Sequence, residues 1–166
     1  MNKLIQFLLF ALIFNLAIVF NLHSQTRIAV LPFQNQEGKI DLNVWSYQLQ
    51  DSLQKALLAL DADQKYFQLV PGDSIENLLA ELNLDPTNPQ YPSDMWKAVS
   101  SLNVEKVVSG NFYIRAEKLL INAYVYDVRT KLPDPKHQAK NIFKDVNDGL
   151  SAIEIIVHKL KPLLIK

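Results

Sequence analysis

Two alternating segments decide the fold of this chain: KVVSGNFYIR at residues 106–115 and KLLINAYVYDV at residues 118–128. Alternation of this kind predicts two strands, and the two residues between them predict an antiparallel hairpin. If Arg115 faces Lys118, Gly110 lies opposite Ala123, a small pair over which a helix can pack closely. The face that contains this pair is predicted to be the core; its members are Val108, Gly110, Phe112, Ile114, Leu119, Ile121, Ala123 and Val125.

The opposite face of the hairpin, which we call the tyrosine face, mixes aromatic and polar side chains and begins at Ser109. Tyrosine with asparagine and arginine is a composition typical of protein interfaces. The alternative is that a helix covers this side of the sheet and leaves the hydroxyl groups at its edge. The candidate interface residues are Asn111, Tyr113, Arg115, Asn122, Tyr124 and Tyr126.

Strand and helix patterns alternate along the rest of the chain, which predicts an α/β (α+β) domain. An apolar strand at residues 27–33 stops at Pro32 and is followed by a polar loop and a long amphipathic helix. A second strand at residues 66–70 is predicted to pair in parallel with the first. We expect one domain of two or three layers, with a mixed sheet of four or five strands in the order β-α-β-α-α-β-β-(β)-α. The remaining segments are helices at 74–82, from Ser93 and at 147–161, a proline-rich loop at 85–92 and a short edge strand at 138–143.

The first 25 residues predict a secretory signal peptide, because Lys3 precedes the apolar run Leu4–Leu22 and small and polar residues follow. We expect cleavage near Gln25, a mature domain at residues 26–166 and a periplasmic location. The alternative is an inner-membrane anchor formed by residues 4–22. Because the first strand starts at about Arg27, an anchored domain would have almost no linker, which favours cleavage.

The composition excludes several classes of function. The 17 basic and 17 acidic residues balance, so a nucleic-acid partner is not expected. The sequence contains no cysteine, which rules out a thiol nucleophile, a disulfide framework, a Cys-ligated metal and the acylated cysteine of a lipoprotein. After signal cleavage no membrane span is expected.

Few residues have side chains suited to catalysis or metal binding. His137 and His158 lie in different predicted elements and are interpreted as solvated. Asp61-Ala62-Asp63 is similar to the start of a calcium loop, but the glutamate that closes such a loop is missing, so a solvated helix end is expected. Trp45 and Trp96 fall on apolar helical stripes and are interpreted as core residues. We therefore predict no catalytic residue, no metal site and no cofactor.

The order of elements and four short runs resemble a known group of bacterial envelope domains. The runs are Ile28–Phe33, Phe67–Val70, Val107–Phe112 and Asp127–Thr130. They look like the domains typified by the TolB N-terminal domain, with related modules in CsgG-like and FlgO-like proteins and in the lipoprotein activators of penicillin-binding proteins. Two glycines usual in the family are replaced, by Asn103 and Lys131.

The resemblance implies a non-enzymatic periplasmic module that acts as an accessory or scaffold through protein contacts in an envelope complex. Larger members append a propeller, helical repeats or a pore-forming segment, and this chain is expected to be the bare module. Its partners would be envelope proteins, and homo-oligomerisation stays open. The alternative function is a small-molecule or glycan binding domain with a pocket between the Gln34–Lys39 loop and the proline-rich loop. A hydrolase is the least favoured interpretation.

Overall fold

The structure is a computed structural model that describes residues 25–165, so the predicted signal peptide lies outside the described residues. Six strands and four α-helices make up this part of the chain. The strands are β1 Thr26–Val30, β2 Gln34–Asn35, β3 Phe67–Leu69, β4 Lys106–Arg115, β5 Lys118–Asp127 and β6 Leu132–Asp145. The helices are α1 Asn43–Leu60, α2 Gly72–Glu81, α3 Tyr91–Ser101 and α4 Ala152–Leu164, with 3-10 turns at Ile40–Leu42 and Val146–Ser151.

The strands form one mixed sheet in the order β3-β1-β4-β5-β6. β1 pairs in parallel with β3 and β4, whereas β4, β5 and β6 are antiparallel. The predicted α/β class is therefore confirmed. The sixth strand is β2, which lies in the predicted polar loop and pairs with Asn111 and Phe112 of β4. Pro32 has no N–H to donate, so pairing stops there and resumes two residues later.

Helices cover both faces of the sheet and give a three-layer domain. On one face, α1 and α4 enclose the first core, which includes Leu53, Phe112 and Ile156. On the other face, α2 and α3 enclose a second core around Leu31 and Met95. A strand buried on both faces must be apolar throughout, and this explains the continuous apolar run in β1.

The predicted register of the hairpin is confirmed. Arg115 pairs with Lys118, and Gly110 pairs with Ala123. However, the close contact over Gly110 is made by the ring of Phe33 rather than by a helix. Phe33 is fully buried and follows the break at Pro32. Gly110 therefore leaves room for the chain that links β1 to β2.

Several element boundaries differ from prediction: α2 begins at Gly72 instead of residue 74, and α4 begins at Ala152 instead of residue 147 because a 3-10 turn precedes it. β6 has 14 residues instead of a short edge strand, and α3 begins at Tyr91 instead of after Ser93. Pro92 occupies the first turn of α3, where the missing N–H has no intrahelical acceptor to lose. α4 continues past Pro162 to Leu164. The burial of Leu164 in the first core stabilises these last residues of the helix.

The helix end at Asp61 is not solvated, contrary to prediction. Asp61 is 7% exposed, and its carboxylate accepts hydrogen bonds from the backbone N–H groups of Lys65, Tyr66 and Phe67 at 2.9, 2.8 and 2.9 Å. Burial alone would raise the pKa of Asp61, but these donors outweigh it and hold the pKa below its usual value. The side chain thus fixes the turn from α1 into β3.

Candidate functional site

The tyrosine face is only partly covered by helices. α2 and α3 pack over β1 and the beginning of β4 on this side, whereas β5 and β6 pack mainly against α4 on the opposite side. α3 reaches the tyrosine face through Trp96, which packs beside Tyr126. The sequence left open whether a helix covers this face, and the structure shows that α3 covers one end of it.

Aromatic rings form a row across this face, which we call the aromatic row: Trp96, Tyr126 and Tyr124. The ring centroids of Trp96 and Tyr126 lie 5.9 Å apart in an edge-to-face arrangement, and those of Tyr126 and Tyr124 lie 6.1 Å apart. Lys131 Nζ lies 5.6 Å from the Trp96 ring centroid, and Lys140 Nζ lies 5.6 Å from that of Tyr124. Both lysines are within cation–π distance, so each end of the row carries a positive charge.

The tyrosine hydroxyls of the row are neutral at physiological pH. Burial raises the pKa of Tyr124, and the nearby Tyr113 adds to the effect. Burial likewise raises the pKa of Tyr126, with a further contribution from Tyr124. Half-buried neutral phenols combine apolar contact area with a hydrogen-bonding group, as interface residues do.

The two asparagines of the candidate interface have a structural role. Asn122 Nδ2 donates to Asn111 Oδ1 at 2.8 Å across the hairpin, and Asn122 Oδ1 accepts from the backbone N–H of Asn141 at 2.8 Å. Asn141 has a φ of 56° and lies where β6 shifts register against β5. Asn122 thus satisfies a donor that the irregular ladder leaves unpaired.

Tyr113 and Arg115 lie toward the hairpin end of the face, where Tyr113 is partly buried and Arg115 is exposed. Sequence reasoning missed Phe143, which pairs with Leu120 on this face and is 46% exposed. It also missed Trp96, Lys131 and Lys140 as parts of the surface. Alternation along β6 predicts the face on which Phe143 lies only if the register shift near Asn141 is already known.

Lys131 has a left-handed backbone with a φ of 58°, and Asn103 has a φ of 49°. These are the two positions where the family usually has glycine. Asparagine adopts this conformation readily, as expected, whereas lysine is strained by about 1 kcal/mol or more. The turn keeps the conformation and places the Lys131 ammonium over Trp96.

The pocket expected between the two loops is nearly closed. The backbone N–H of Asn35 donates to the carbonyl oxygen of Pro86 at 3.1 Å and joins the loops directly. A cavity of about 70 Å³ remains, lined among others by Gln34, Tyr91 and Ser109. This volume holds about two water molecules, far less than a sugar or metabolite needs.

A larger cleft of about 510 Å³ lies on the other side of the sheet, between the β5–β6 turn and Leu163. Five apolar side chains line it, together with Lys106, Asp127, Thr130 and Asp134. Asp127 accepts hydrogen bonds from Thr130, and Asp134 accepts from the N–H groups of Lys136 and His137. Each carboxylate accepts hydrogen bonds within its own turn, so the two do not point together at a ligand.

Within residues 25–165, His, Asp and Glu side chains form no cluster of three or more suited to a metal ion. His137 Nδ1 lies 3.0 Å from Asp134 Oδ1 in its own turn, and His158 is exposed on α4. In the same range, no helix has the length and apolar character needed to cross a bilayer.

Solved structures share this three-layer fold. The C-terminal domain of LpoB from Salmonella enterica is similar with a TM-score of 0.51 and 13% identity, over 75% of this chain and 86% of that domain. The lipoprotein GNA1162 from Neisseria meningitidis is similar with a TM-score of 0.51 and 17% identity, over 83% of this chain and 96% of that one. At these identities the likeness concerns the fold alone.

TolB from Acinetobacter baumannii is similar with a TM-score of 0.41 and 18% identity, over 86% of this chain but 29% of that one. A TM-score this low does not establish a common fold. No protein-family model matches the sequence, and no curated protein sequence matches it. The comparisons thus show a fold shared with the LpoB C-terminal domain and with GNA1162, and they do not show the finer TolB-like, CsgG-like or FlgO-like assignment.

Proposed function

We propose that this protein is an exported, non-enzymatic accessory or scaffold module that binds envelope proteins through the tyrosine face. The observation that carries the proposal is the aromatic row with its two lysines on a sheet face that helices cover at one end only. Phe143 and Tyr113 extend this surface. Aromatic side chains that are half-buried in a rigid sheet lose little entropy on binding, which suits them to anchor a partner.

The fold supports an envelope setting by analogy, because GNA1162 is described as a lipoprotein. A lipid anchor on cysteine does not carry over, since this sequence has no cysteine. We propose instead a periplasmic protein released by signal cleavage, and membership of the TolB-like, CsgG-like and FlgO-like group is part of the same proposal.

A pull-down from native envelope tests the binding surface. The Tyr113→Ala/Tyr124→Ala variant should capture far less partner than the wild type and keep most of its melting temperature. Tyr126 is left intact because it packs on Trp96. Tyr47→Ala is the matched control, since Tyr47 is 41% exposed on α1 and belongs to neither hairpin strand. Undiminished capture by the double variant would contradict the proposal.

The N-terminus of the protein from its native host tests the location. Mass spectrometry should find a chain that starts near Gln25 or Thr26 in the periplasmic fraction. A chain that still begins at Met1 and resists carbonate extraction from membranes would establish the anchored alternative instead.

A further inference from the structure

The two ends of the aromatic row are basic, and this limits the kind of partner that fits. Lys131 and Lys140 hold their ammonium groups over the outer rings, and Arg115 and Lys118 lie at the hairpin end of the same face. Asp145 lies on this face too, and its Oδ1 forms an ion pair with Lys118 Nζ at 3.6 Å. The described part of the face therefore has an excess of positive charge.

The acid nearest to Trp96 along α3 is also paired, since Asp94 Oδ1 lies 2.9 Å from Lys97 Nζ. Among the described residues, neither Lys131 nor Lys140 has a carboxylate oxygen within 4.0 Å of its ammonium. Each ammonium lies 5.6 Å from the centroid of an aromatic ring, and both lysines are exposed. Each can therefore accept an anionic group from outside without breaking an existing ion pair.

The turn at Lys131 sets where this charge lies. This lysine has a left-handed φ of 58°, a conformation that glycine adopts without strain. Here the strained residue is the one that places a charge at the Trp96 end of the row.

Building on the proposed function, we propose that the tyrosine face binds an acidic segment of its protein partner. Apolar side chains of the segment contact the rings of the aromatic row, and Asp or Glu side chains at either end pair with Lys131 and Lys140. An anionic membrane surface is the competing occupant. It would meet the same charges but would not require a peptide between the two lysines.

Fluorescence of Trp96 provides the test. The sequence has two tryptophans, so a Trp45→Phe background leaves Trp96 as the only reporter. The exported chain is titrated with a short peptide that alternates glutamate and leucine, and with its glutamine–leucine counterpart. We expect the glutamate peptide to bind at least about ten times more tightly, with a preference that fades as salt screens exposed charges.

Lysine variants locate the contact. Lys131→Gln and Lys140→Gln should each weaken binding of the glutamate peptide by roughly two- to five-fold, as for an exposed ion pair. Lys131→Gly should weaken peptide binding by the same factor as Lys131→Gln. The melting temperature of the Lys131→Gly variant should equal or exceed that of the wild type, because glycine relieves the backbone strain. Lys159→Gln, on α4 across the sheet, is the matched control and should leave binding unchanged.

Three results would overturn the inference: equal binding of the two peptides, unchanged binding by Lys131→Gln and Lys140→Gln, or an equal loss in Lys159→Gln. Binding to phosphatidylglycerol vesicles with loss in the lysine variants, but no peptide preference, would assign the face to a membrane. If only the Tyr113→Ala/Tyr124→Ala variant loses partner and the lysine variants do not, the contact surface stands and its preference for acids is refuted.

Discussion

Alanine at Gly110 should destabilise the domain strongly, because the added methyl group meets backbone as well as side chain. The new Cβ would overlap the carbonyl oxygen of Asn122 and lie 2.6 Å from Phe33 Cδ1, well inside normal carbon–carbon contact of about 3.5 Å. A ring can rotate or shift, but the carbonyl belongs to the paired strand and moves only if the hairpin deforms. We therefore expect a loss of about 2–3 kcal/mol in the free energy of unfolding, in the upper part of the range for overpacked cores.

For a domain of this size, 1 kcal/mol corresponds to about 4 °C, so the melting temperature should fall by roughly 8–12 °C. Differential scanning calorimetry and urea unfolding measure both quantities. Gly149→Ala is the matched control: its Cβ would lie 2.7 Å from the outer ring atoms of Trp45 and 2.9 Å from Leu119 Cδ2, all of which are side-chain atoms. It should lose about 1 kcal/mol, near the lower limit for such changes.

A second variant separates the two contacts at Gly110. Adding Phe33→Leu to Gly110→Ala removes the ring contact but leaves the overlap with the Asn122 carbonyl. The Gly110→Ala/Phe33→Leu variant should therefore have a clearly lower free energy of unfolding than the Phe33→Leu variant alone. A melting temperature of Gly110→Ala within about 2 °C of the wild type would refute the reasoning, because it would mean that the hairpin absorbs the methyl group without loss.

Three further changes test the described contacts. Asp61→Asn should lower the free energy of unfolding by about 1–3 kcal/mol, since it weakens bonds to three backbone donors. Because the pKa of Asp61 is lowered in the fold, its stabilisation is complete above about pH 4 and declines as the pH falls through the folded pKa, so urea midpoints of wild type and variant should converge in acid. Asn122→Ala should cost about 1–2 kcal/mol and speed hydrogen exchange of the amide at the β6 register shift, which loses its acceptor. Tyr126→Ala should lower the melting temperature more than Tyr124→Ala does and change the near-ultraviolet circular dichroism of Trp96; equal effects would contradict the edge-to-face packing.

The predicted elements that the structure confirms depend on local pattern. Alternation in the segments 106–115 and 118–128 sufficed for the hairpin, its register and its apolar face. The parallel pairing of β1 and β3 followed from the long connection between them. Element ends depend on tertiary packing as well: Pro162 does not end α4, because the burial of Leu164 outweighs one missing hydrogen bond.

Polar residues were the hardest to interpret from sequence, because their partners are distant in the chain or depend on an irregular backbone. Asp61 was expected to be solvated, yet it is buried on the turn that it holds. Asn122 was predicted as an interface residue, and the structure adds a second role that alternation did not predict, because its Oδ1 accepts a hydrogen bond from the N–H of Asn141. A polar side chain carries no sign in the sequence of whether water or a backbone group is its partner.

The sequence by itself determined the class of fold, the hairpin and the division of its residues between an apolar and a polar-aromatic face, because strand geometry alone puts successive side chains on opposite sides. Only the tertiary structure decided how much of the tyrosine face a helix covers, which residues from other elements join it and where its charges lie. Trp96 comes from α3, Lys131 from a strained turn and Lys140 from the register shift in β6. Their positions depend on packing between segments that are distant in sequence, and such packing leaves no periodic signal.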